Sequence, residues 1–313
     1  MDLIFLGGTN MSIKIERVPF EGWKSCLKIS NNIMELIVGT EMGIRILAVN
    51  LVGKENILYL VPADKGLSGG GKHRFYGGHR IWHTPEDFGR TYSQDNDPVA
   101  VKEIENGFIL TQNIEPETFM QKEIEITMCP DSSAVTVKHR IYNKGVWPVE
   151  TSVWCITQLE KDGIQVMPIQ KNDFRLTHTW NMSFWSYTNM SDHRMTFGKE
   201  YFYLKQDPSY DETPLKIGYK STDSWAAYST KGQLLIKTYD CEEDKLYPDN
   251  NCAFESYVNE HFIEMETLSP LTVIEAGSFA EQTEKWYLLD DIEIKADDNY
   301  INSTIKPIID KLR

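Results

Sequence analysis

Glu123-Ile124-Glu125-Ile126-Thr127-Met128 alternates polar and apolar residues without a break, and the following segment repeats the pattern. After a Pro130-Asp131 turn, Val135, Val137 and Ile141 alternate with Thr136, Lys138 and Arg140. Successive side chains of a strand point to opposite faces, so a period of two puts the apolar set on a buried face and the polar set in water. Working outward, shorter apolar or alternating runs occupy residues 108–111, 234–239, 262–268, 272–274, 286–289 and 292–294. Asn106-Gly107, Asn143-Lys144-Gly145, Lys231-Gly232 and Ala276-Gly277 punctuate them as turns. Many short strands with almost no helical pattern predict an all-β sandwich or barrel. One exception is helical: Ile305, Ile308, Ile309 and Leu312 recur at helical spacing, with Pro307 where a first turn tolerates it. A short C-terminal helix packed on the β body is expected there.

Composition bounds the function. The 313 residues carry 32 Lys+Arg against 46 Asp+Glu, a net charge of −14, with 41% hydrophobic residues. That supports a sizeable core and excludes disorder as the main state. It also argues against nucleic acid, whose affinity rests on clustered Lys and Arg. No Ser/Gly-rich linker, composition shift or internal repeat divides the chain, so one domain over residues 1–313 is expected. No run reaches the ~18–20 apolar residues of a membrane helix, so no membrane partner is expected. Met1-Asp2-Leu3-Ile4-Phe5-Leu6 carries an acid where a signal peptide carries Lys or Arg, and its apolar run ends at Gly7-Gly8. A cytoplasmic protein is the expectation. Five cysteines without a Cys-x-x-Cys predict reduced thiols, with no disulfide framework and no structural zinc. Exposed edge strands leave monomer and homodimer equally open.

Chemistry concentrates in an irregular segment, residues 62–97. It holds Gly66, Gly69, Gly70, Gly71, Gly77 and Gly78 with Lys72, His73, Arg74, His79, Arg80 and His83, and long loops of this kind are usually functional or mobile. Gly66-Leu67-Ser68-Gly69-Gly70-Gly71-Lys72-His73 nearly matches a phosphate-binding loop, but His73 replaces the hydroxyl residue and no helix pattern follows. A flexible glycine loop is the better reading. In His79-Arg80-Ile81-Trp82-His83-Thr84-Pro85-Glu86 a four-residue step can place the two imidazoles on one face, with Glu86 as the local candidate for a third metal ligand, although Gly77-Gly78 and Pro85 leave the geometry undefined. A polar set for sugars or anions fits the stretch better than a metal, and a structural hydrogen-bond role is open as well. Phe254-Glu255-Ser256-Tyr257-Val258-Asn259-Glu260 alternates again, placing Glu255, Tyr257 and Asn259 together on one face. A carboxylate, a phenol and an amide suit hydroxyl recognition, and burial would let Glu255 act as a general base. A solvated strand face explains the same pattern. Trp154, Trp180, Trp185, Trp225 and Trp286 could stack on sugar rings, but a single aromatic in a β protein is more often core, so none marks a site alone. His139 reads as structural, and His178 and His193 show no diagnostic spacing.

Four segments resemble the galactose mutarotase-like superfamily, which includes the aldose 1-epimerases, and most closely a bacterial branch of it. They are Tyr76-Gly77-Gly78-His79-Arg80-Ile81-Trp82-His83-Thr84-Pro85-Glu86, residues 152–159, residues 184–194, and the stretch from Asn251 through Glu255 to Trp286-Tyr287-Leu288. The resemblance implies a large antiparallel β-sandwich that binds a sugar on one sheet. It implies anomer interconversion without a cofactor: a carboxylate takes the anomeric hydroxyl proton, a histidine protonates the ring oxygen, and the ring opens and recloses. Asn251-Cys252-Ala253-Phe254-Glu255-Ser256 is similar to the strand that carries the base, which implies that role for Glu255. Arg80 in His79-Arg80-Ile81 resembles a sugar-binding arginine, which implies a binder of hydroxyls or of a carboxylate. The acid histidine's motif corresponds to Val153-Trp154-Cys155-Ile156-Thr157-Gln158-Leu159, where Trp154 stands in the histidine's place. Either His79 or His83 then supplies the acid, or the protein binds sugar without turning it over. Trp154, Tyr257 and Asn259 join Arg80 as expected substrate contacts. A sugar-phosphate epimerase relative, using Lys72 and Arg74, is a further alternative.

Overall fold

Met120–Met128 and Ala134–Asn143 pair antiparallel, as their alternation requires, with Ile124 opposite His139 and Ile126 opposite Val137. The computed structural model describes residues 12–170, 176 and 180–312, so Met1–Leu6 and His178 lie outside the described residues. The pair belongs to a ten-stranded sheet. Its order is Met195–Phe197, Tyr201–Lys205, Ile164–Pro168, Trp225–Thr230, Gln233–Tyr239, Phe279–Asp290, Ala134–Asn143, Met120–Met128, Gly107–Thr111 and Ala100–Ile104. A second ten-stranded sheet runs Lys14–Phe20, Trp23–Ser30, Met34–Gly39, Arg45–Leu51, His79–His83, Val153–Glu160, Phe262–Leu268, Phe254–Val258, Leu215–Tyr219 and Met182–Phe184. Every strand pairing among the described residues is antiparallel. The expected large antiparallel sandwich is what the chain forms.

The inner faces of the two sheets make the core. Leu36, Val38, Ile46, Ile81, Cys155 and Met265 of one sheet share it with Phe108, Ile124, Val137, Leu235 and Leu288 of the other. Each such side chain contributes about 1.5–3 kcal/mol on burial. All five cysteines are free thiols. The C-terminal helical segment covers the outer face of the first-described sheet: Ile301, Ile305 and Ile309 pack on Tyr201, Tyr203, Trp225, Leu234 and Ile236.

Three expectations need correction. The helical segment begins at Asp298, capped by Asp297, and passes through a π turn, Ile301–Ile305, so Pro307 lies well inside it. Proline has no N–H for an i−4 bond, and a wider turn just before it absorbs that loss. Residues 292–294 are not a strand; Ile294 is buried beneath the helix, its N–H donated to Ser229 Oγ at 2.9 Å. Segment 62–97 is not one loop, because His79–His83 inserts in the middle of the second sheet. Gly77 and Gly78 make the insertion possible. Both have positive φ, and a Cβ would lie 2.3 Å from Tyr59 O and 2.1 Å from Ile46 O respectively.

Candidate functional site

The strand His79–His83 divides its side chains between two environments. Ile81 belongs to the core between the sheets, and His79 meets His139 and Trp286 of the opposite sheet. Arg80 and Trp82 therefore face outward, away from the second layer. On that outer face one residue from each of five neighbouring strands falls into line. Arg80 stands opposite Ile156, Ile156 opposite Glu266, Glu266 opposite Glu255, and Glu255 opposite Gly218. Flanking rows bring Gln158 opposite Glu264, Tyr257 opposite Lys216, and Trp154 between Trp82 and Leu268.

Two carboxylates opposite one another on adjacent strands repel unless something lies between them. Lys216 does: its Nζ is 2.8 Å from Glu255 Oε2 and 3.0 Å from Glu266 Oε2. Glu255 Oε2 is thus held by the ammonium as an ion pair, while Glu255 Oε1 has no hydrogen-bond partner among the described residues. Trp154 Nε1 donates to the same Glu266 oxygen at 2.7 Å, and the ammonium sits 4.6 Å from the Trp154 ring centre. Gly218 supplies the space. A Cβ there would lie 2.6 Å from Cys252 Sγ and 3.1 Å from Glu255 Cγ.

Burial dominates the electrostatics. It holds the Glu255 carboxyl well above its usual range, with Lys216 pulling the other way and Glu266 adding to the rise. Glu264 is pushed up to about 8 by burial and by Glu266, while Gln158 Nε2 donates to it at 2.8 Å. The Lys216 ammonium is held above its ordinary value: burial opposes this, but Glu255 and Glu266 outweigh it. Arg80 is brought down to about 9 by burial and by the neighbouring Arg45. Its guanidinium stacks 4.0 Å over Trp82. Aromatic side chains roof the face: Tyr92 packs against Trp82, the Lys216 ammonium lies 4.8 Å from the Trp185 ring centre, and Tyr187 meets Tyr257 edge-on.

A second polar cluster lies between the sheets. His139 Nδ1 is 3.0 Å from the Gln282 carbonyl, which only accepts, so this nitrogen carries the proton. Its neutral Nε2 then accepts from His79 Nε2 at 2.7 Å, and His79 Nδ1 accepts from the Thr157 hydroxyl at 2.7 Å. Lys237 donates to Thr157 and to both oxygens of Glu284, which also accepts from Thr267 and Trp286. Burial lowers both imidazoles, His139 to about 4. His79, His139 and Glu284 bring three possible ligand atoms within 4.8 Å of one another. Each of these groups already has protein partners, and Lys237 supplies the cation.

The outer face brings together Glu255, Arg80, Trp154 and Tyr257, and it excludes the other expected residues. His79 points inward into the Lys237 cluster. His83 also points inward, 3.6 Å from Glu115, which Lys122 neutralises. Neither histidine reaches Glu255, because side chains two and four residues apart on a strand share the face opposite Arg80. The histidines and Glu86 form no metal set either: Glu86 is exposed and accepts from Tyr92. Asn259 belongs to a turn, its side-chain oxygen accepting from the N–H groups of His261 and Phe262. Glu264, Glu266, Lys216 and Gln158 were not foreseen. The alternation Phe262-Ile263-Glu264-Met265-Glu266 held the signal for the two carboxyls, because i and i+2 share a face.

No family model and no curated protein matches the sequence. Solved structures match the fold. A Klebsiella pneumoniae protein described as a candidate aldose 1-epimerase superposes with a TM-score of 0.60 at 12% identity, covering 97% of this chain and 88% of its own. A galactose mutarotase-like protein from Lactobacillus casei gives 0.54 at 10% identity, covering 85% and 100%. A galactose mutarotase-like protein from Clostridium acetobutylicum gives 0.53 at 10%, covering 90% and 99%. The fold is that of the galactose mutarotase-like proteins.

Proposed function

We propose that the outer face around Glu255 and Glu266 binds a sugar and interconverts its anomers by acid/base ring opening. One observation carries the reading: buried polar atoms without hydrogen-bond partners converge there beside indole rings. Among the described residues these are Glu255 Oε1, Glu266 Oε1, Gln158 Oε1 and the three guanidinium nitrogens of Arg80. Leaving such a group unpaired costs about 1–3 kcal/mol, so their concentration argues for a hydroxyl-rich partner. Trp82 and Trp154 offer apolar surface for the C–H face of a ring.

The carboxyl pair replaces the carboxylate–histidine pair implied by the resemblance. Glu255, whose burial favours the protonated form, gives its proton to the ring oxygen as the C1–O bond breaks. Glu266, which receives the hydrogen bonds of Trp154 and Lys216, takes the anomeric hydroxyl proton. After rotation about C1–C2, Glu266 returns its proton to the carbonyl oxygen, and the closing ring oxygen returns the other to Glu255. Two carboxyls whose environments differ in this way divide the acid and base roles between them.

The test follows anomerisation of several aldoses by NMR with wild type, Glu255→Gln and Glu266→Gln. Acceleration by wild type that either variant loses supports the reading. Sugar binding without acceleration of any aldose would overturn it in favour of a binding module.

A further inference from the structure

We infer that the sugar carries a carboxylate, held by the guanidinium of Arg80 at the far end of the row from Glu255. This deepens the reading above and rests on it. Arg80 has only 3% of its surface exposed, yet among the described residues Nε, Nη1 and Nη2 donate no hydrogen bond. The nearest carboxylate, Asp95, is 3.7 Å away, and its Oδ2 is already 2.7 Å from Arg45 Nη2. Two buried guanidinium groups thus share one aspartate. His73, above Trp82, brings no further cation, since burial and Arg80 lower it to about 4. Glu264, the next carboxyl along the face, sits near 8 and is mostly protonated at neutral pH. The Arg80 end therefore holds one uncompensated positive charge.

An isolated buried cation is costly unless it is paired, and a guanidinium pairs best with a planar carboxylate through two parallel hydrogen bonds. One positive charge matches a carboxylate better than the dianion of a phosphate. The spacing agrees. Arg80 and the Glu266–Glu255 pair are two and three strands apart, roughly 10–14 Å between backbones. That span fits one pyranose ring with a hydrogen bond at each end. A hexuronic acid lying along the row would put its carboxylate on Arg80 and its anomeric carbon at the carboxyl pair. Stacking on Trp82 holds the guanidinium plane without using any of its donors.

The experiment is calorimetric titration with D-galacturonate, D-glucuronate, D-galactose, D-glucose, D-glucose 6-phosphate and inorganic phosphate, on wild type and Arg80→Met. At least one uronate is expected to bind ten-fold or more tighter than its neutral hexose, with affinity falling as salt is raised. Arg80→Met is expected to erase that preference and to raise the melting temperature, because it removes an unpaired buried charge. Equal affinity for uronate and hexose, tighter binding of the phosphorylated sugar, or a preference that survives Arg80→Met would each overturn the inference. A variant that melts lower and binds uronate as wild type does would reduce Arg80 to a structural residue. Uronate anomerisation followed by NMR separates the two proposals. Tight uronate binding without acceleration defeats the enzyme reading alone, and acceleration of neutral hexoses only defeats the carboxylate alone.

Discussion

Glu255 and Glu266 stand directly opposite one another on adjacent strands, and one ammonium, that of Lys216, lies within 3.0 Å of an oxygen of each. A fully buried pair of acids with a single cation between them cannot release both protons freely. One carboxyl keeps its proton under conditions where an isolated glutamate would lose it. General acid–base catalysis typically contributes about 10²–10⁴-fold, so Glu255→Gln and Glu266→Gln should each lower the anomerisation rate by that order. The folds of both variants should survive: Glu255→Gln replaces a protonated carboxyl with a neutral amide of the same shape, and in Glu266→Gln the Lys216 ammonium still has Glu255 at 2.8 Å to pair with. Unchanged rates in both, measured by NMR line shape or polarimetry, would remove the pair from the reaction.

Lys216 has a larger structural role than either acid. Replacing it with Met leaves two facing carboxyls without their cation, and breaking a buried pair in this way costs about 3–5 kcal/mol. Lys216→Met should therefore lower the denaturation midpoint sharply, and adding Glu266→Gln to it should recover most of the loss. A double variant as unstable as Lys216→Met would mean that packing of the lysine stem on Trp154 and Trp185 matters more than its charge.

Gly218 tests the geometry without touching a charge. The Cβ of Gly218→Ala would meet Cys252 Sγ at 2.6 Å and Glu255 Cγ at 3.1 Å. Overpacking of this kind costs about 1–3 kcal/mol. Combining it with Cys252→Ala should restore much of the stability while the rate stays low, because the crowding of Glu255 remains. A double variant with wild-type turnover would show that the position of Glu255 is not critical.

Stability should depend on pH from two directions. Glu264 is raised from 4.5 to about 8 on folding, so its contribution is complete at low pH and fades as pH rises through that window. The slope is at most about 1.4 kcal/mol per pH unit for this one group. His139 is lowered from 6.5 to about 4, so its contribution is complete above 6.5 and fades as pH falls toward 4. Urea midpoints measured across pH 4–9 should fall on both sides, and Glu264→Gln should flatten the alkaline side alone. An unchanged alkaline slope would assign it to another group.

The parts of the fold legible in the sequence are those with one face in water. Met120–Met128 alternates buried and half-buried residues along its length, and its hydrophobic pattern reports this directly. His79–His83 and Val153–Glu160 have nearly every residue buried, because the core covers one face and the aromatic roof the other. The polar residues of His79–His83 read as loop chemistry when they are in fact central strand. The same double burial hid the site. Arg80 was visible as a cationic residue in an acidic chain, but its separation from His79 and His83 depends on strand alternation, which the flanking glycines obscured. Glu255 was visible through its alternating strand and its resemblance. Lys216 carries no local signal, since it reaches the carboxyls only through pairing of Leu215–Tyr219 with Phe254–Val258.

Lys237 provides the test of the inner cluster. It bonds Glu284 at 3.0 and 3.1 Å and donates to Thr157, whose hydroxyl then donates to His79, so it supports from one end the tautomers that the Gln282 carbonyl sets from the other. Lys237→Met removes the only charge compensating a buried carboxylate in that chain of bonds, and a loss of about 3–5 kcal/mol is expected. The same change leaves two imidazoles and a carboxylate whose ligand atoms span 4.8 Å, a donor set suited to zinc. Added zinc should then raise the melting temperature of Lys237→Met and leave wild type unmoved, because in wild type the ammonium and the histidine–histidine bond already satisfy these atoms. Zinc stabilisation of wild type, abolished by His79→Ala, would show instead that the ammonium yields its place to a metal.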